Sequence, residues 1–464
     1  MPDVKSAVVA GGGIAGIACA LRLAERGVRV TLLETRKKLG GRATSFVDVR
    51  SGETIDNCQH VALACCTNYL DLLERLGADD RIQWHREQYW VEPGGRVSIV
   101  RPGAFPAPLH FASSVLRASF LSLGEAAQLG KAMRAIMRAD RAAWRARTFG
   151  EFLRDAGQSE RVVRRFWSPV VVSACNLDVG RVSAESALHV FQEGFLANRR
   201  SAELGLPTVP LVELYDRAEQ VIAAAGGVIR LGVSVTELSA RSVRATIGTE
   251  PAEFTADAVV SALPVERVAD AVSPADRARD ERFARLGDFE HSPILGVHAR
   301  FDRPVIDLPH AVLVEGATQW LFRKDDAGCA LHAVVSAADD WMPLSERQIA
   351  ERIVGDIQTY FPQSIGASVV SLRSVKEKRA TFAPTPAVQA LRPGPTGPSG
   401  IVLAGDWTDT GWPATMEGAT RSGYAAAAVV LGESPGALLA RPLAVGRVAR
   451  LLGLRPAAPV GAYA

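Results

Sequence analysis

Near the start of the chain, Gly11-Gly12-Gly13-Ile14-Ala15-Gly16 has the GxGxxG spacing of a turn that binds a diphosphate. The glycines permit the tight turn and the close approach of backbone N–H groups. The N-terminus of the helix that follows favours the negative charge. Glu34, at the end of the next apolar run, is placed to accept hydrogen bonds from ribose hydroxyls, and its charge disfavours a 2′-phosphate. Gly40-Gly41-Arg42 follows directly, and Gly405-Asp406-Trp407 lies near the far end of the chain. Arg42 can pair with phosphate or ring-side oxygens, and Asp406 can bind a polyol chain. After Pro413, Thr415-Met416-Glu417-Gly418-Ala419 opens a helix whose N-terminal dipole would favour negative charge on a reduced flavin ring. A cofactor touched by segments so far apart must be long, which selects FAD over NAD.

These residues need a β-α-β frame. Residues 7–10 form a short apolar run, residues 14–26 carry Ile17, Ala20, Leu21 and Ala24 at helical spacing, and residues 28–33 form a second buried strand. Strands of the same kind return at 228–238, 258–262 and 401–404, so the cofactor domain is discontinuous. The expected fold is α/β: a glutathione-reductase-like FAD-binding Rossmann domain (1–84, 211–269 and 391–435) interleaved with an α+β substrate domain (85–210 and 270–390) and ending in a basic, apolar tail (436–464).

Composition agrees with two domains and little else. At 464 residues the chain exceeds one core, and a net charge of +3 is too small to argue for nucleic acid. The cysteines, among them the adjacent pair Cys65-Cys66, show no metal-ligand spacing and read as free thiols in a reducing compartment. Met1 to Lys5 lead straight into a strand, leaving no room for the apolar stretch of a signal peptide, and no run is long enough for a membrane span. A cytoplasmic protein without a bound metal is expected.

The glycine turn, Glu34, Leu39-Gly40-Gly41-Arg42 and the stretch from Gly405-Asp406 through Glu417-Gly418-Ala419 resemble the flavin-containing amine oxidase superfamily. The resemblance implies an extended FAD and assigns Val235 to its adenine side. Ser422-Gly423-Tyr424 carries no cysteine where some members attach the flavin, so FAD is expected to be non-covalent. Within the superfamily the chain is similar, nearly end to end, to the squalene-associated FAD-dependent desaturases, or hydroxysqualene dehydroxylases. The markers are Asp56-Asn57-Cys58-Gln59-His60, Phe166-Trp167-Ser168-Pro169, Ala174-Cys175-Asn176, Glu193-Gly194-Phe195, Leu206-Pro207 and Ala404-Gly405-Asp406-Trp407-Thr408. Cys58 and Cys175 stand where glycine and leucine are common in that family.

This similarity implies reduction of a long allylic alcohol by hydride from reduced FAD, in a pathway shared with other squalene-synthesising enzymes. The site then needs an acid for the leaving hydroxyl and aromatic faces for a delocalised cation. Gln59 and His60 are the candidates for the hydroxyl, and Trp167, Trp407 and Trp412, with Phe166, for the lining. Asp56 and Asn57 are expected to hold their turn. The other histidines, His189 among them, are assigned to structure. A carotenoid-type desaturase uses the same parts and is the nearest alternative, ahead of an amine oxidase or a non-enzymatic lipid-binding protein of this fold.

A substrate of that kind suits an enzyme resting on the inner face of the cell membrane. Between residues 101 and 147, Arg101, Arg117, Lys131, Arg134, Arg138, Arg141, Arg145 and Arg147 outnumber Glu125 and Asp140, interleaved with Phe105, Leu109 and Phe111. In the tail, Val445, Val448 and Leu452 share a helical face opposite Arg447 and Arg450, as in a helix lying on an anionic surface.

Overall fold

The computed structural model describes residues 4–454. Its first layer is a parallel sheet whose strands lie in the spatial order Val228–Leu231, Arg29–Glu34, Ser6–Ala10, Ala258–Ser261 and Val402–Leu403. Both faces are covered. Ala7 and Val9 join the core shared with the helix Ile14–Ala24, while Val8 and Ala10 join the core on the opposite face. Continuous apolar strands are what such two-sided burial requires.

The carboxyl-terminal helix Met416–Val430 packs against Ile14–Ala24 so closely that a Cβ on Gly423 would lie 2.2 Å from the Ala15 carbonyl oxygen. Gly423 therefore lets the last helix of the cofactor domain reach the first. The antiparallel strands Val233–Leu238, Ser242–Ile247 and Glu250–Thr255 form a separate small sheet, and Val235 is buried in it opposite Ala245.

The second layer system is a seven-stranded sheet in the order Val369–Phe382, His291–Phe301, Ala330–Ser336, Trp320–Arg323, His310–Leu313, Gln88–Val91 and Val97–Val100. It unites both stretches assigned to the substrate domain. Helices Leu123–Arg138, Phe149–Asp155, Ser168–Cys175 and Ala184–Phe191 supply an aromatic core beside it. Capping boxes at Ser122 with Glu125 and at Thr148 with Glu151 start two of these helices by satisfying N–H groups that lack intrahelical partners.

The tail departs from expectation. Helix Arg447–Leu451 is docked on the helical core through Ala449, with Leu454 buried beside it and Gly446 N–H donating to the Ala197 carbonyl at 2.7 Å. Val445, Ala449 and Leu454 pack on the protein's own core while Leu451 and Leu452 stay exposed, so the expected stripe of Val445, Val448 and Leu452 is only partly free. Residues 455–464 of the tail lie outside the described residues.

Candidate active site

The helix Ile14–Ala24 begins at Gly13 with no side-chain cap, so its leading N–H groups, including those of Ile14, Ala15 and Gly16, are left for a ligand. Gly11 makes the turn possible: its φ is +112°, and a Cβ would lie 2.6 Å from the Ala262 carbonyl oxygen. Glu34 braces the same turn, accepting from Gly12 N–H at 2.7 Å and Arg36 N–H at 2.7 Å. Its role is thus partly structural, with carboxylate lone pairs left for a ribose. Gly13 bridges to Gly40, which holds Gly41 and Arg42 beside the uncapped helix. An open helix terminus with an adjacent carboxylate fits a dinucleotide diphosphate and ribose.

Arg42 pairs with Asp406 and donates to the Ala380 carbonyl at 3.0 Å. The two side chains expected to contact different parts of the cofactor therefore meet each other. Burial opposes the charge on Arg42, but the Asp406 carboxylate more than offsets this and raises its pKa. Asp56 and Asn57 position this turn: Asp56 accepts from the Ser45 hydroxyl at 2.7 Å, and Asn57 donates to the Arg42 carbonyl at 2.6 Å. Gly405 N–H donates to the Ser422 hydroxyl at 2.8 Å, tying the Asp406 loop to the last helix.

Between the two domains lies a cavity of about 240 Å³ that opens to solvent. Its wall is mostly apolar: Val61, Leu63, Trp90, Val170, Phe195, Val312, Trp320 and Phe322 contribute, with Gln59, Trp412, Thr415, Met416 and Glu417 on the cofactor side. Gln59 also accepts from Lys324 Nζ at 3.2 Å.

Several expected lining residues lie elsewhere. Trp167 is fully buried among Phe149, Phe166 and Phe191, its indole N–H donating to Gln158 at 3.0 Å, and it is not on the cavity wall. Trp407 belongs to the core behind the parallel sheet, edge-on to Phe289 and donating to the Leu263 carbonyl at 3.1 Å. Both rings are large enough to be drawn into whichever core is nearest. His60 is not among the side chains of the cavity wall, and its Nδ1 lies 3.0 Å from the Cys58 carbonyl oxygen. Burial lowers its pKa, which holds the ring neutral.

A charged group at the cavity end had been passed over. Helix Ala184–Phe191 continues into a π-helical turn, Gln192–Leu196, and this places His189 and Glu193 together on the wall. Arg141 pairs with Glu193 at 3.4 Å and also reaches His189 Nδ1. His189 meets Trp412 edge-on at 4.5 Å, and the Arg421 guanidinium sits 5.9 Å from that indole. Glu417 is completely buried, accepting from Asn68 at 2.7 Å and Tyr69 N–H at 2.8 Å, with Arg421 3.7 Å away. Met416 and Glu417 thus present the start of the last helix to the cavity, with the Glu417 carboxyl turned to helix Thr67–Leu76. The sequence signal was available: His189 and Glu193, two titratable residues four apart, share one face of a largely buried helix.

Among the described residues no three His, Cys, Asp or Glu side chains gather to hold a metal. Cys65 is held well above the ordinary thiol value by its hydrogen bond with Cys66 and by burial, and burial pushes Cys58 and Cys175 up to about 12. Such thiols are poor nucleophiles.

Residues 14–431 match the family described as flavin containing amine oxidoreductase. The hydroxysqualene dehydroxylase of Rhodopseudomonas palustris is 30% identical over 438 residues, spanning 92% of this chain and 98% of that protein. A zeta-carotene desaturase of Zea mays is 25% identical, spanning 93% of this chain and 84% of its own length. The structure of cyclohexylamine oxidase from Brevibacterium oxydans superposes with a TM-score of 0.66 at 18% identity, covering 93% of this chain and 99% of that one. With an uncapped glycine turn, a ribose-side carboxylate and a cavity meeting the last helix, the protein is an FAD-dependent oxidoreductase and belongs to the flavin-containing amine oxidoreductase family.

Proposed function

We propose that the enzyme reduces hydroxysqualene to squalene, replacing an allylic C–OH by C–H. The observation that carries this reading is the cavity itself: a mostly apolar space that meets the Met416 and Glu417 helix start, with a minority of polar side chains, Gln59, His189 and Glu193 among them, on its wall. Such a space suits a hydrocarbon chain bearing one hydroxyl. FAD, when bound and reduced, supplies the hydride. The protein's part is to hold the chain along Trp90, Val170, Phe195 and Phe322, to present Trp412 to a delocalised cation, and to bind the hydroxyl with cavity-facing polar groups, Gln59 among them. The test is anaerobic: chemically reduced enzyme is mixed with hydroxysqualene and the products are read by mass spectrometry. Squalene is expected, and unchanged alcohol would refute the reading.

Carotenoid-type desaturation is the second reading, favoured by the similarity to zeta-carotene desaturase over nearly the whole chain. It predicts removal of hydride from a polyene precursor by oxidised FAD, so incubation of the oxidised enzyme with such a precursor separates the two.

We also propose that the enzyme takes its substrate from an anionic membrane surface, on the inner face of the cell membrane and alongside other squalene-pathway enzymes. No described helix is long and apolar enough to cross a membrane. Phe105, Leu109 and Leu116 are exposed, and neighbouring Phe111 lies 6.1 Å from Phe195 of the cavity wall. An apolar rim leading to an apolar cavity supports entry from lipid. The electrostatic part is narrower than charge counting suggests, because Arg101 pairs with Glu87, Arg145 with Glu185 and Asp409, and Arg147 with Asp155. Among the described residues, Arg117, Lys131, Arg134 and Arg138 have no such acidic partner.

A further inference from the structure

Two residues of the cavity wall, Trp90 and His189, each carry a buried ring nitrogen without a partner in the protein, and that of His189 lies beside the charged cluster. Arg141 donates to Nδ1 of His189, and a guanidinium can only donate, so Nδ1 must be the accepting nitrogen. The ring is neutral: burial, then the charges of Arg141, Arg421 and Arg392, hold its pKa well below the ordinary histidine value. Its proton is therefore on Nε2. That atom is buried without a partner in a side chain that is 3% exposed and lines the cavity. An unsatisfied buried donor destabilises the fold, a cost that a ligand oxygen would remove.

One turn further along the same helix, Glu193 lines the same cavity from within the π-helical turn, a geometry that recurs at functional sites because the extra residue redirects a side chain. The titratable and charged groups facing it are Arg141 from the segment before Ala142–Trp144, Arg421 from helix Met416–Val430, Cys65 at the start of helix Thr67–Leu76, and His189 on its own helix. Burial outweighs the two arginines and raises the Glu193 pKa. The cavity thus contains a carboxyl biased towards its acid form, beside a neutral N–H donor, with cations positioned to receive the carboxylate once its proton has gone.

We propose that Glu193 is the proton donor to the departing hydroxyl of the substrate and that His189 Nε2–H binds and orients that oxygen. This inference rests on the dehydroxylation reading. The carbon–oxygen bond breaks with its electron pair on oxygen, the Glu193 proton completes a water molecule, and the allylic carbon is left as a delocalised cation next to the Trp412 face. That carbon takes the hydride supplied by the reduced flavin of the holoenzyme. Glu193 is left as a carboxylate paired with Arg141 and regains its proton from solvent. His60, the acid candidate on sequence grounds, is not on the cavity wall.

The experiment uses FAD-loaded enzyme reduced anaerobically, with hydroxysqualene as substrate. Glu193→Gln keeps a hydrogen-bonding group of the same shape and removes the transferable proton, so squalene formation should fall by about 10² to 10⁴-fold with little change in KM. Glu193→Asp should retain part of the rate, with its alkaline limb moved. His189→Phe should raise KM more than it lowers kcat. Independently of turnover, the infrared difference between wild type and Glu193→Gln should contain a protonated carboxyl stretch just above the ordinary glutamate pKa, present without substrate. Wild-type turnover by a Glu193→Gln enzyme with full FAD occupancy overturns the proposal, as does absence of that band. Failure of the wild type to make squalene overturns the dehydroxylation reading instead, and the infrared band still decides whether the cavity carries an acid.

Discussion

The Arg42 guanidinium is paired with the Asp406 carboxylate across 364 residues of chain, joining the turn after the second strand to the loop after the last. The Asp406 side chain is 7% exposed, so removing its partner leaves a largely buried charge without compensation. Arg42→Met is expected to destabilise the fold by about 1–3 kcal/mol and to lower FAD occupancy, both measurable by denaturant titration of the apoprotein and by flavin absorbance. Combining it with Asp406→Leu should recover stability without recovering FAD. Recovery of both would show that neither side chain contacts the cofactor.

Glu34 braces the glycine turn, so on the ribose reading Glu34→Ala should weaken FAD retention by more than a lost ligand contact alone. A single charge-assisted hydrogen bond contributes about 1.5–3 kcal/mol. Equilibrium dialysis would measure the change, and unaltered affinity would remove Glu34 from the cofactor site. Denaturation of the wild type should release intact FAD, and flavin left on the chain would contradict non-covalent binding.

Gln59 and His60 are neighbours with different surroundings, and their variants should differ accordingly. Gln59→Ala is expected to reduce squalene formation by roughly tenfold, the loss of one hydrogen bond to the hydroxyl, with FAD retained. His60→Ala should change thermal stability more than turnover, because the ring bonds its own loop. Steady-state kinetics with matched melting curves separate the two, and a larger kcat loss for His60→Ala would restore it as a reacting group.

Acidification should destabilise the protein before any carboxylate ion pair is lost. Burial lowers the pKa of His110 and His310 to about 4 and holds His189 and His332 well below 6.5. Below 6.5 the unfolded chain binds protons that the fold refuses. The stabilisation is complete above 6.5 and is lost as pH falls towards 4. Glu193 and Glu417, whose pKa values are raised by burial, act in the opposite sense because the fold keeps their protons longer. The histidines outnumber them, so the net slope should remain positive. Denaturation midpoints across this range should fall with pH, and His310→Gln should flatten the slope by about 1.4 kcal/mol per pH unit. A midpoint independent of pH would contradict this account.

Membrane binding should depend on the exposed rim at Phe105, Leu109 and Leu116. Flotation with anionic vesicles is expected for the wild type and should be lost when all three are replaced by serine. Each unpaired Lys or Arg would add about 1 kcal/mol, screened over roughly 8 Å at physiological salt. Removal of the tail would be a poor test, since Ala449 and Leu454 belong to the helical core. Undiminished flotation of the triple variant would place the contact elsewhere.

The sequence alone determined the cofactor and the frame that holds it. The turn at Gly11 needs positive φ, the helix after it needs an open start, and Glu34 must end the neighbouring strand. Each of these is a local requirement legible in residue types and short spacings. The Gly405-Asp406 and Met416-Glu417 elements were recognisable for the same reason. Tertiary structure alone decided what faces the cavity. Trp167 and Trp407 look equivalent to Trp412 in composition, yet packing buries the first two in separate cores and leaves Trp412 beside His189. Gln59 and His60 were both candidates for the hydroxyl by position, and only Gln59 reaches the cavity wall, while the His60 ring bonds the Cys58 carbonyl. His189 and Glu193 gain their character from Arg141 and Arg421, which come from the turn before Ala142–Trp144 and from helix Met416–Val430. Their unsatisfied donor and raised pKa arise from burial, and burial is a property of the assembled chain that spacing along one helix cannot reveal.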